Sequence, residues 1–156
     1  MMALDLDAFI GQVSPDSPCG EDLEYDPVFE QMARDAEGTP ERQLGESITP
    51  AEEPDWKSVR ALGLELLQRS RDIRVSVLLT RALVHTEGFE GVDQGLILIH
   101  ELLRRYWDDV HPRQDPDDDY PIQHINTLAD LNDYARLLNP VSRIPLTDSQ
   151  AVGRFS

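Results

Sequence analysis

Residues 91–110 read GVDQGLILIHELLRRYWDDV, and this run decides the fold. Val92, Leu96, Ile99, Leu103, Tyr106 and Val110 recur every three or four positions, with Leu102 and Trp107 beside them. That spacing predicts a long helix whose apolar stripe is broad enough to face a core on more than one side. Pro112 stops it. Two more helices are predicted upstream. Asp55 is placed to cap a helix beginning at Trp56, with Val59, Leu62, Leu66 and Leu67 completing one face. Ser70-Arg71-Asp72 interrupts the pattern and Asp72 caps again. The next helix, Ile73 to about Thr86, carries Val75, Val77, Leu78, Leu79, Ala82, Leu83 and Val84. Apolar residues all round make it the central, mostly buried helix, with Arg74 and Arg81 expected on an outer face. Gly88 ends it, and so short a link sets its neighbour antiparallel or sharply angled.

The flanks are read in the same way. Leu4 to Val13 is a short amphipathic helix capped by Asp5 or Asp7. Residues 14–26 form a proline-rich loop, in which Glu21 to Asp26 reads as a turn with Leu23 and Tyr25 folded inward. Asp26-Pro27 starts a helix to about Glu37, with Phe29, Met32, Ala33 and Ala36 on one face and Gly38 after it. Thr39 to Pro54 contains three prolines and Gly45. A structureless connection this long is uncommon inside a compact domain. It is a flexible segment, a strap across the helices or a partner-binding loop, and the strap, pinned by Leu44 and Ile48, is the preferred reading. A last helix begins at Pro121, turns Ile122, Ile125, Leu128 and Leu131 inward, and ends at Asn139-Pro140. Residues 141–156 carry no helical stripe. The expected fold is all-α: about six helices in one compact domain over residues 1–140, a long proline-rich connection between the second and third, and an irregular tail, 141–156, that starts a linker to a further C-terminal region.

Composition narrows the function classes. With 156 residues the chain can bury a core without staples, and one cysteine, Cys19, excludes an internal disulfide framework. No apolar run of about 18 residues exists to span a membrane. The first residues lack the basic and apolar regions of a secretory signal. Asp and Glu number 30 against 14 Lys and Arg, so the formal charge is −16. Such a surface disfavours nucleic acid and anionic membranes as partners.

Chemical motifs are tested and fail. His100-Glu101-Leu102-Leu103 opens like the helical zinc motif His-Glu-x-x-His, but Arg104 stands where the second imidazole is needed. Gly45 to Thr49 starts like a nucleophile elbow and lacks its final glycine. Six aspartates lie between Asp108 and Asp119, with His111 among them. They would suit a hard cation, yet the calcium-loop ligand pattern is missing, and a solvated acidic turn is the preferred reading. Cys19 has no basic sequence neighbour to activate it. Trp107 and Tyr106 fit the core by spacing. Catalytic, cofactor-binding and metal residues are therefore all expected to be none.

Five blocks, in order, resemble the N-terminal domain of the ImpA/TssA family of bacterial type VI secretion. They are residues 18–29 (PCGEDLEYDPVF), 48–56 (ITPAEEPDW), 71–75 with 79–83 (RDIRV, LTRAL), 87–91 (EGFEG) and 106–112 (YWDDVHP). The resemblance implies an all-helical, non-enzymatic part of a cytoplasmic assembly protein. It implies contacts with baseplate, tube or sheath subunits, and homo-oligomer formation through a C-terminal region outside this sequence. Two other readings stay open: a metal-dependent hydrolase using the Asp108 to Asp119 cluster, and an acidic regulatory adaptor unrelated to secretion.

Overall fold

The computed structural model describes residues 4–149 and 153–155. Helix α1 spans Leu6–Ile10, α2 Pro27–Glu37, α3 Trp56–Leu67, α4 Ile73–Tyr106, α5 Ile122–Ala129 and α6 Asn139–Ser142. A 3₁₀ turn, Asp130–Asn132, and a π-helical turn, Tyr134–Leu138, join the last two. The four predicted starts hold because each aspartate satisfies amides that a helix leaves open. Asp5 accepts from the Ala8 amide, Asp26 from Val28 and Phe29, Asp55 from Ser58 and Asp72 from Arg74.

Two small hairpins correct the all-helical expectation. β1 (Arg42–Leu44) pairs antiparallel with β2 (Ser47–Thr49), and β3 (Thr147–Ser149) with β4 (Gly153–Phe155). The first hairpin turns on Gly45 and Glu46. Gly45 has φ +63° and, among the described residues, only glycines have positive φ, as in a two-residue loop with glycine first. This hairpin replaces the expected strap. Leu44 and Ile48 are 80% and 61% exposed, so neither pins it to the helices. It is held at its base, where Thr39 and Glu52 exchange backbone hydrogen bonds of 2.9 and 2.7 Å. The second hairpin gives the expected irregular tail a regular element, and Asn139-Pro140 opens α6 instead of ending a helix.

The core is built around α4. Gly88 sits inside it with φ +64° and ψ −138°, which no helix accommodates. The two halves fold back on each other there. A Cβ on Gly95 would lie 2.3 Å from Thr80 Oγ1, and one on Gly91 2.4 Å from the Leu83 carbonyl oxygen. Residues 80 and 95 would be about 22 Å apart in a straight helix at 1.5 Å per residue. Close contact replaces that distance because Gly95 presents only hydrogen to the Thr80 side chain and Gly91 only hydrogen to the Leu83 carbonyl. Ser76 and Thr80 on the opposite half are also small, and their hydroxyls bond back to the Asp72 and Ser76 carbonyls.

This packing shifts the predicted stripe. The buried side of residues 89–106 is Gly91, Gly95, Leu98, Ile99 and Leu102, while Leu96 and Ile97 are exposed. Met32, Val59, Leu66, Leu67, Ile73, Leu79 and Leu83 meet this side from α2, α3 and the first half of α4. Arg81, expected outside, is buried. The segment after α5 covers it, and its guanidinium donates to the Asp130 carbonyl at 3.2 Å.

Candidate interaction face

Two places depart from the rule of apolar inside and charge outside. The first is a polar junction where loops meet below α3 and α4. Arg71 is buried and, among the described residues, has no carboxylate partner. Its guanidinium donates to the carbonyls of Gly11 at 2.7 Å, Ala8 at 3.0 Å, Ser70 at 3.1 Å and Leu67. Burial lowers its pKa. The Arg71 amide donates to the Cys19 carbonyl at 2.7 Å, and its own carbonyl accepts from the His111 amide at 3.0 Å. His111 Nε2 then reaches the Gly20 carbonyl at 3.1 Å. The junction thus ties together residues 8–20, 67–73 and 111.

That arrangement decides several sequence candidates. His111 is buried in the junction, turned away from the acidic turn it was grouped with. Among the described residues, no three His, Cys, Asp or Glu side chains converge on a point that could hold a metal. Cys19 is buried, and burial first, then the charge of Asp109, pushes its thiol up to about 11. Such a thiol supplies almost no thiolate at neutral pH. Arg104, at the failed zinc position, clamps Glu101 together with Arg105 and draws that carboxylate down to about 2. His100 lies on the solvent side. His85 stacks on Trp56 at 4.6 Å, and burial lowers its pKa. Residues 45–49 are a hairpin turn with no strand-to-helix elbow. In the loop before α2, Leu23 is buried as expected and Tyr25 points out. Arg69 lies beside Glu21 and Asp26, and its hydrogen bond holds the Asp26 carboxyl below the usual range.

The second departure is α5. Ile122 and Ile125 were expected inward, yet they are 44% and 52% exposed, and Ala129 continues the same side. The residue facing the core is His124, 1% exposed, which meets the edge of Trp107 at 4.9 Å. Burial lowers the His124 pKa, against a smaller upward pull from the Val110 and Pro112 carbonyls. Trp107, expected in the core, is half-exposed because α4 ends at Tyr106. Tyr106 itself reaches the Ile10 carbonyl at 2.8 Å. Tyr120, 71% exposed, extends the apolar side beyond the start of α5. The preceding turn carries Asp115, Asp117, Asp118 and Asp119. Asp115 accepts from the Asp117 amide, and among the described residues no arginine pairs with any of the four. Sequence reasoning missed this face because periodicity identifies an apolar side without saying which way it points. The available signal was His124, set opposite Ile122.

The fold defines a helical module whose distinctive surface is an outward apolar helix flanked by carboxylates. The family model described as ImpA, N-terminal, type VI secretion system matches residues 10–133, and the chain belongs to that family. A curated relative, the type VI secretion system component TssA1 of Pseudomonas aeruginosa, is 49% identical over 151 residues, 96% of this chain and 44% of the relative. A solved structure is similar over the whole chain and 56% of its own length, with TM-score 0.76 and 32% identity. It is the N-terminal domain, including the conserved ImpA_N region, of the TssA component from Burkholderia cenocepacia. The chain spans less than half the length of the curated relative. No helix among the described residues is long and apolar enough to cross a membrane.

Proposed function

We propose that this chain is a non-enzymatic assembly module of the type VI secretion apparatus and docks on baseplate, tube or sheath subunits. The family match over residues 10–133 carries this reading. The naming of a 49%-identical relative as a component of that apparatus supports it. So does the surface chemistry: the unusual groups are an outward apolar helix and a hairpin, both suited to contact, while the buried His111, Cys19 and Arg71 have structural partners. On this reading residues up to about 140 form the N-terminal unit and residues 141–156 lead toward a further region. That region would supply homo-oligomerisation in the full-length protein, and the protein would act in the cytoplasm.

The test is co-purification of the 156-residue chain, tagged, with each sheath, tube and baseplate subunit expressed separately. Capture of at least one at physiological salt is expected. A cooperatively melting domain that captures none of them would sink the reading.

A further inference from the structure

We infer that the outward side of α5, made of Tyr120, Ile122, Ile125 and Ala129, is the docking surface for a basic amphipathic helix of a partner protein. The carrying observation is the inverted placement. An eight-residue helix with a clear apolar side presents that side to solvent and packs a histidine on the core. A helix that served only to cover the core would be more stable the other way round, since burying isoleucine is favourable and burying an imidazole is not. The surroundings offer no cover: Ile122, Gln123, Ile125, Asn126 and Ala129 are all exposed.

Charge selects the occupant. Asp115, Asp117, Asp118 and Asp119 stand before the apolar side, and exposed Asp130 stands at its far end. Lysines or arginines at both ends of a partner helix would meet carboxylates that pair with no arginine among the described residues. A second copy of this chain would bring two acidic rims together within a protein of charge −16. An anionic membrane or a nucleic acid meets the same repulsion. A helix fits better than a strand, because α5 offers ridges and no open backbone edge. Its length, about 12 Å, takes two to three turns of a partner. The inference deepens the assembly reading and rests on it for the partner's origin, whereas the surface chemistry is testable without it.

The experiment titrates the isotope-labelled 156-residue chain with a synthetic Leu/Lys helix of about four turns bearing one apolar stripe. A Leu/Glu helix with the same stripe is the comparison. Backbone and indole resonances of residues 115–130 and Trp107 are expected to move with Leu/Lys alone. The I122D/I125D variant, checked by its melting curve, should bind at least about tenfold more weakly. Shifts spread over the acidic surface without α5, or equal affinity in the variant, would mean charge attraction alone and overturn the proposal. A dimer abolished by I122D/I125D, or binding to phosphatidylglycerol vesicles through the same residues, would overturn it in favour of another occupant. The captured apparatus subunit separates the two readings. Capture retained by I122D/I125D defeats the α5 surface and leaves the assembly reading standing. No capture by the parent chain, with Leu/Lys still bound at α5, defeats the assembly reading alone.

Discussion

The Arg71 junction and the α5 face invert the usual rule in opposite senses. One hides a charge and the other displays isoleucines. At the junction the buried charge is compensated: the guanidinium meets four carbonyls, and His111 Nε2 meets a fifth. On α5 nothing within the described residues compensates the exposed apolar side. The difference separates polar groups that hold the fold from apolar groups that are surplus to it. The first should appear in stability measurements and the second in binding measurements.

Arg71→Ala tests the first half of that contrast most severely. It strands several buried carbonyls and opens a cavity, so a loss of about 3–5 kcal/mol is expected in denaturant melts. A loss below 1 kcal/mol would mean that water satisfies the junction as well as the guanidinium does. Gly95→Val follows. Its Cβ would enter the Thr80 side chain, and a loss of about 1–3 kcal/mol is expected from overpacking. Pairing it with Thr80→Ala should recover part of that loss, which separates contact from helix propensity.

Asp26→Asn keeps the cap acceptor and removes the charge facing Arg69. The folded carboxyl sits below its ordinary value of about 4, so its contribution is complete above that value. It fades as acid carries the pH down through the folded value. The variant should lose roughly 0.5–1 kcal/mol at neutral pH and show a shallower acid-side decline in thermal melts between about pH 5 and 2. The smallest stability effect belongs to Ile122→Asp with Ile125→Asp, within about 0.5 kcal/mol, because both side chains already face water. A larger loss would show that α5 holds the domain together and erase the contrast.

Local rules were legible in the sequence. Asp26-Pro27, Asp55 and Asp72 each place a short acceptor before an apolar period, and the helices begin where that chemistry requires. Gly88 was legible as a break for the same reason. Direction was legible only in part. Ile99, Leu102 and Val110 are buried as read and Leu128 and Leu131 are half-buried, but Leu96, Ile122 and Ile125 face out, because glycines lead the closest packing of α4 and a histidine leads that of α5. Arg81 was placed outside because its cover comes from a segment about fifty residues away in sequence. The Gly45-Glu46 loop was a readable hairpin signal, but Pro40, Pro50 and Pro54 masked the short strands beside it.

The fold-back of α4 also sets an order of assembly. Its closest pairs, Thr80 with Gly95 and Leu83 with Gly91, join positions 15 and 8 residues apart. Tyr106 and Ile10 are 96 apart, and His111 and Gly20 are 91 apart. Closing the longer loops costs about 1.6 kcal/mol more in chain entropy than closing the 15-residue one. Contacts between near neighbours therefore form early, and the N-terminal segment joins late. Residues 4–20 act as a latch: last to engage as the chain folds, and first to open when it is strained.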